Sequence, residues 1–159
     1  MNNKDKTNTR IELLTKESQF LEKGVNYFWK CWGNDSNFNF YNNCIQNSLS
    51  DEVSLPKFYI LLNGKAIIGS YALLTNDIIS RQDLLPWFAC LFVDEKFRNK
   101  GYAEELLIHG LTEASNKGFE KLYLSTDLKD FYDKKGWDLF SYGYSLSGEK
   151  FKIYAKSTE

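Results

Sequence analysis

The sequence is poor in the residues that most chemistry-bearing motifs need. It has one histidine, one methionine, two prolines and three cysteines in 159 residues. With His109 alone and no cysteine pair at CxxC spacing, a structural zinc site lacks ligands, and no metal is expected. Any histidine-dependent triad would have to use His109. Cys31, Cys44 and Cys90 are odd in number and far apart. That argues against a disulfide framework and for a reducing, cytoplasmic setting. The opening MNNKDKTNTR is polar, with no apolar stretch of a secretory signal. No apolar run approaches the roughly 18 residues of a membrane span, so no membrane partner is expected. An excess of one charge is missing too: 20 Lys and Arg face 21 Asp and Glu, a net charge of -1. That balance argues against a nucleic-acid partner held by its phosphates.

What is present is a core. Apolar residues make up 43% of the chain and aromatics 16%, and a chain of this length folds as one domain that buries about two thirds of its unfolded surface. Residues 1–8 read as a disordered tail and 9–157 as a single domain. RIELL at 10–14 reads as a strand. Over residues 16–32, Leu21, Val25, Phe28 and Trp32 recur at helical spacing, so that Phe28 and Trp32 share an apolar face. Residues 37–50 read as a second helix, rich in Asn and Ser. KFYILLNGKAIIGSYALLT at 57–75 holds two apolar runs joined by Asn63-Gly64, a strong hairpin signal. PWFACLFV at 86–93 reads as a strand buried on both faces. Residues 102–117 form a helix with Gly118 as its stop. Residues 121–126 form a strand, 127–136 a short helix ending in glycine, and 137–156 a final hairpin. A strand, a crossover helix and a strand over 87–126 make a βαβ unit, so part of the sheet is parallel. The fold class is mixed α/β, with about six to seven strands and helices on both faces.

The chemistry concentrates in FVDEKFRNKGYAEELL, residues 92–107. A buried strand runs into an acidic turn, then Arg98, Asn99, Lys100, Gly101, Tyr102 and Ala103, then a helix. The first turn of a helix carries unpaired N–H groups and a partial positive charge, which suits a phosphate. Gly101 lets an anion approach the backbone, and Arg98 and Lys100 add positive charge. A basic βα turn with a punctuating glycine fits the same residues. There is neither a Walker GK[ST] nor a GxGxxG fingerprint.

The stretch resembles the acetyl-CoA-binding motif of the GCN5-related N-acetyltransferase (GNAT) family: a strand ending in Val, an acidic turn, then Arg/Gln-x-x-Gly-x-Gly/Ala opening a helix. Arg98, Gly101 and Ala103 match it, with Ala in the last glycine's place. Pro86-Trp87 before the strand resembles one branch of the family, and the order of elements across residues 9–156 fits. The resemblance implies a partly splayed central sheet and acetyl-CoA as co-substrate. The pyrophosphate would lie on the amides of Asn99, Lys100, Gly101, Tyr102, Ala103 and Glu104. Pantetheine would pair with Leu91, Phe92 and Val93, and an N–H at Phe92 or Val93 would polarise the acetyl carbonyl.

FYDKKGW at 131–137 resembles a second family segment. Tyr132 falls where a tyrosine often protonates the departing thiolate, a role a phenol of pKa about 10 can fill; packing over the cofactor with no proton role is the alternative. Many members carry Asn seven residues earlier; here stands Ser125, followed by Thr126, a cofactor contact by position. For the base that frees the acceptor amine, Asp83 is the first candidate, against a solvated loop carboxylate. Asp94 and Glu95 read as turn residues, Cys90 as a core thiol, and His109 as a surface or packing residue. Phe38, Phe40, Tyr41 and Trp87 are candidates for an acceptor pocket, with core packing as the alternative. The chain is thus expected to be an N-acetyltransferase moving acetyl to a primary amine of a small molecule or peptide. A non-catalytic acyl-CoA-binding module on the same fold is the alternative. Since family members often pair, a homodimer is a candidate state.

Overall fold

A computed structural model describes residues 8–159. Of the expected tail at 1–8, residues 1–7 lie outside the described residues, while the Asn8 carbonyl accepts the Gly64 N–H at 3.0 Å. In chain order the elements are β1 (Thr9–Leu13), α1 (Leu21–Trp32), α2 (Phe38–Gln46), β2 (Lys57–Asn63), β3 (Ala66–Leu74), β4 (Trp87–Val93), α3 (Tyr102–Asn116), β5 (Lys121–Thr126), β6 (Asp138–Tyr144) and β7 (Lys150–Ser157). The strands form one mixed sheet in the order β1-β2-β3-β4-β5-β7-β6. β4 and β5 run parallel, with Trp87 opposite Tyr123, as a strand–helix–strand crossover requires. The chain divides into two compact units: residues up to Ala72 with Cys90–Leu106, and Leu73–Ala89 with Leu107–Glu159.

In the first unit β1 pairs antiparallel with β2, from Thr9 opposite Asn63 to Leu13 opposite Tyr59. β2 is buried over six consecutive residues, the pattern of a strand covered on both faces. Its rings are placed with little freedom. Phe58 meets Phe28 of α1 edge-on at 5.2 Å, and Tyr59 stacks on Tyr71 of β3 at 4.5 Å. The helices are shorter than the apolar spacing suggests because side chains compete for their backbone ends. Ser18 Oγ donates to Glu12 and accepts the Phe20 N–H, so residues 15–20 form turns and α1 starts at Leu21. Asn47 Nδ2 donates to the Asn43 carbonyl and Ser48 Oγ to that of Ile45, closing α2 at Gln46. The buried Lys57 donates its Nζ to the carbonyls of Ser48 and Ser50, tying the following loop to β2.

In the second unit β5 pairs antiparallel with β7, and β7 with β6, where Phe140 falls in a register shift between Leu139 and Ser141. Ile79, Leu84, Trp87 and Ile153 form a buried cluster, bordered by Leu74, Tyr123 and Phe151. Thus the connection from β3 to β4 is part of the core rather than a loose loop. The expected helix at 127–136 reduces to a single 3-10 turn, Asp133–Lys135. Asp130, at φ 61, lies in the left-handed region and breaks any helix there. Among the described residues no helix is long and apolar enough to cross a membrane.

Candidate active site

In the first unit the functional geometry begins inside β4. Cys90 has φ 56, in the left-handed region, in the middle of the strand. A residue so placed cannot continue a regular ladder and bends the strand. The buried Ser70 holds the kink, its Oγ donating to the Cys90 carbonyl at 3.0 Å. Beyond it, Leu91 and Phe92 are only partly buried. This corrects the expectation of a strand covered on both faces throughout. Phe92 is braced by Tyr27 and Trp32 of α1, edge-on at 6.2 and 6.4 Å. Trp32 is 45% exposed and Phe28 wholly buried, so the two do not share the core as the spacing suggested. A neighbour also approaches the backbone here. A Cβ on Gly69 of β3 would lie 2.9 Å from the Phe92 carbonyl oxygen, a contact only glycine permits.

The turn after β4 is shaped by two left-handed residues, Asn99 at φ 61 and Gly101 at φ 85. Alternating backbone conformations of this kind aim successive N–H groups into one concavity, an arrangement that binds anions. α3 starts at Tyr102, directly after Gly101, so the turn and the helix N-terminus form one feature. Asn99 and Gly101 are exposed and Tyr102 is buried. Arg98 is not simply a loose cation at the mouth. Its Nε donates to the Val93 carbonyl at 2.8 Å, and its guanidinium lies 5.3 Å from the centre of the Phe92 ring. It straps the turn to the end of the strand. Asp94, read from sequence as a turn residue, also accepts the Tyr27 hydroxyl at 2.7 Å, while its N–H donates to the Ile68 carbonyl. Burial and this acceptor push the Tyr27 phenol well above its ordinary range.

In the second unit Tyr132 is buried, with Phe131, Tyr154 and Trp137 around its ring at 4.9, 5.8 and 6.2 Å. Its carbonyl accepts the N–H groups of Lys135 and Trp137, which fixes the backbone under the ring. Its hydroxyl makes no hydrogen bond among the described residues. Burial pushes the phenol up to about 12. Thr126 Oγ1 accepts the Leu128 N–H at 3.0 Å and turns the chain after β5.

Asp83 stands in solvent, in a two-pronged pair with Arg81: Nε to Oδ1 at 2.9 Å and Nη2 to Oδ2 at 2.8 Å. The Arg81 hydrogen bond holds its carboxyl below the usual carboxylate range. The sequence reading missed a different carboxylate on the same connection. Asp77 is partly buried, and Ser125 Oγ of β5 donates to its Oδ2 at 3.3 Å. Desolvation pushes it up to about 6, against the opposing effect of that hydroxyl. Of the other residues weighed, Trp87 is buried and donates its indole N–H to the Leu84 carbonyl, a core role. Phe38 packs edge-on against Trp29 at 5.3 Å, and Phe40 is exposed beside Tyr41. Partial burial holds His109 below its usual pKa. Among the described residues no group of three or more His, Cys, Asp or Glu is placed to hold a metal ion.

The family model for the acetyltransferase (GNAT) family matches residues 21–137, from α1 through the Tyr132 segment. The chain belongs to the GNAT acetyltransferase family. Solved structures repeat the fold at low identity. A GNAT family acetyltransferase from Elizabethkingia anophelis, with acetyl-CoA bound, is 17% identical, with a TM-score of 0.66 over 96% of this chain and 99% of that one. An N-acetyltransferase from Staphylococcus aureus Mu50 is 12% identical, with a TM-score of 0.71 over 96% of this chain and 100% of that one. An aminoglycoside 6'-N-acetyltransferase complexed with coenzyme A is 13% identical, with a TM-score of 0.69 over 94% and 97%. Among curated protein sequences none matches. The mixed seven-stranded sheet is thus that of the GNAT fold.

Proposed function

We propose that this chain is an acetyl-CoA-dependent N-acetyltransferase that moves an acetyl group to a primary amine of a small molecule or peptide by direct attack. The observation that carries the reading is the turn at 94–104. There, left-handed Asn99 and Gly101 open directly into the N-terminus of α3, after a strand bent at Cys90. The family match and two solved structures of the same fold that hold acetyl-CoA or coenzyme A support reading this turn as the cofactor's seat.

In this reading the pyrophosphate lies on the amides of residues 99–104, with Arg98, Lys100 and the helix dipole opposing its charge. Pantetheine pairs with Leu91, Phe92 and Val93. The Val93 carbonyl already carries the Arg98 N–H, but an oxygen has two lone pairs and can accept a second donor. A strand amide at Phe92 or Val93 stabilises the oxyanion of the tetrahedral intermediate. Tyr132 donates its proton to sulfur as the C–S bond breaks. Its raised pKa keeps it protonated through the neutral range, and its hydroxyl has no competing partner among the described residues. Thr126 contributes a contact at the end of β5. Three free cysteines suit a cytoplasmic location.

The test is thiol release from acetyl-CoA in the presence of a panel of primary amines, with the acetylated product identified by mass. Amine-dependent release supports the reading. A protein that binds acetyl-CoA but acetylates no amine would be a binding module instead.

A further inference from the structure

The connection between β3 and β4 presents Asp77 in a setting that its other carboxylate, Asp83, lacks. Its side chain reaches across 48 residues of sequence to Ser125 near the end of β5. Desolvation and the Ser125 hydroxyl are the only influences on its proton affinity, and it forms no ion pair among the described residues. Arg81, four residues on, is directed elsewhere: two of its N–H groups hold Asp83, and Nη1 donates to Ser141 at 3.1 Å. The other ionisable groups on β5, β6 and β7 are Lys121, Tyr123, Asp138, Tyr142, Tyr144, Lys150, Lys152, Tyr154 and Lys156, and none of them shifts Asp77.

The backbone holding Asp77 is kept in an unfavourable shape. The next residue, Ile78, is β-branched at φ 53 and 58% exposed. Such a residue costs energy in the left-handed region and persists only where its surroundings enforce it. They do so on both sides. Asn76 Oδ1 accepts the Ile79 N–H at 3.1 Å. Ile79 inserts into the core cluster, over Gly143, where a Cβ would come within 2.7 Å of it. Ser80 exchanges two hydrogen bonds with the backbone of Tyr144. An exposed isoleucine on a strained backbone and a carboxylate with one hydroxyl donor and no cationic partner among the described residues stand together in one pinned segment. They fit a site that receives a cation.

Resting on the acetyltransferase reading above, we infer that Asp77 binds the ammonium group of the acceptor and takes its proton, the role the sequence reading gave Asp83. Its carboxylate accepts one proton from R–NH3+. The freed lone pair of R–NH2 forms the N–C bond to the acetyl carbon. When the intermediate collapses, the C–S bond breaks with its electron pair on sulfur, and sulfur takes the Tyr132 proton. The nitrogen gives up its second proton, which restores Tyr132, and Asp77 returns its proton to water. The sum is R–NH3+ plus acetyl-CoA giving the amide, coenzyme A and one proton. A carboxylate that is half protonated near pH 6 is ionised at neutral pH and still basic enough to act.

The experiment uses the full chain with acetyl-CoA and five probe amines: n-hexylamine, tyramine, spermidine, glucosamine and a dipeptide amide. Calorimetry with acetyl-CoA comes first, because failure to bind removes the acetyltransferase reading itself. Given binding, Asp77→Asn should keep acetyl-CoA affinity within about threefold while kcat with the best amine falls at least about 100-fold. In the wild type kcat/KM should decline on the acid side with a midpoint near 6, and that limb should vanish in Asp77→Asn. Asp77→Glu should recover part of the rate. Ser125→Ala removes the bond that lowers the Asp77 pKa, so the limb should move to higher pH. A structural Asp77 would not produce that shift. The inference is overturned if Asp77→Asn transfers within threefold of wild type, if Ser125→Ala leaves the limb in place, or if a chain that binds acetyl-CoA acetylates none of the five amines.

Discussion

The turn after β4 and the connection before it handle charge in opposite ways. The turn at 94–104 works through its backbone: left-handed Asn99 and Gly101, the amides that follow, and the start of α3. Asn99 and Gly101 are exposed, and an anion there meets many weak donors at once. The connection at 75–86 works through one side chain. Asp77 is partly buried, tied to one hydroxyl, and fixed by neighbours that fill the core around Ile79 and Trp87. The contrast teaches where each region is vulnerable. The turn tolerates side-chain change but not a change of backbone freedom. The connection tolerates surface change but not the loss of a single oxygen.

The largest effect outside Asp77 itself is expected at Tyr132. Tyr132→Phe keeps the ring among Phe131, Trp137 and Tyr154 and removes only the hydroxyl. Amine transfer should fall on the order of 100-fold with acetyl-CoA affinity unchanged, as stopped-flow thiol release and calorimetry will read. An unchanged rate would leave Tyr132 a packing residue.

Gly101→Val tests the turn by its backbone. At φ 85 a β-branched residue is strained, at a cost of about 1–3 kcal/mol. Acetyl-CoA affinity should drop more than about tenfold by calorimetry if the backbone relaxes out of the left-handed region. Lys100→Ala, a side-chain change in the same turn, should weaken binding by much less. Equal losses would mean that the turn works through charge and not shape.

Asp77→Asn should also act on stability, with a sign opposite to its effect on rate. The folded-state pKa of Asp77 is raised to about 6 from an ordinary value of 3.8. The folded state therefore binds more protons between those values, and the group's contribution falls as pH rises through that window. The variant should melt a few degrees above wild type at pH 8 and lose that advantage by about pH 4. A variant that melts lower at pH 8 would make Asp77 structural.

The smallest effect is expected at Asp83. Its pair with Arg81 is exposed, and exposed pairs contribute little. Asp83→Asn should leave the melting temperature within about two degrees and reduce transfer far less than Asp77→Asn. A greater loss at Asp83 would return the role of base to it.

How much of this was legible in sequence follows from the same contrast. The turn is contiguous, so its glycine, its basic residues and the helix after it sit in one short stretch and could be read directly. The hairpin at Asn63-Gly64 and the crossover from β4 to β5 were legible through local periodicity. The helix expected at 127–136 was misread because a left-handed Asp130 outweighs helical spacing. The placement of Trp32 was misread because it is the last residue of α1 and turns toward Phe92. The kink at Cys90 depends on Ser70, 20 residues away. Asp77 depends on Ser125, 48 residues away. Neither leaves a local pattern, since each is defined by a partner that only the folded sheet supplies. Asp83, by contrast, offered itself by proximity to Pro86-Trp87, and proximity in sequence says nothing about desolvation.

The central claim is that the turn at 94–104 seats the pyrophosphate of acetyl-CoA. The measurement that tests it most directly is calorimetric titration of the chain with acetyl-CoA and, in parallel, with an acetyl-pantetheine fragment that lacks the pyrophosphate. The account predicts micromolar binding of acetyl-CoA and a loss of at least about 100-fold, roughly 2.7 kcal/mol, for the fragment. Equal affinity for the two, or no binding of acetyl-CoA, would contradict it.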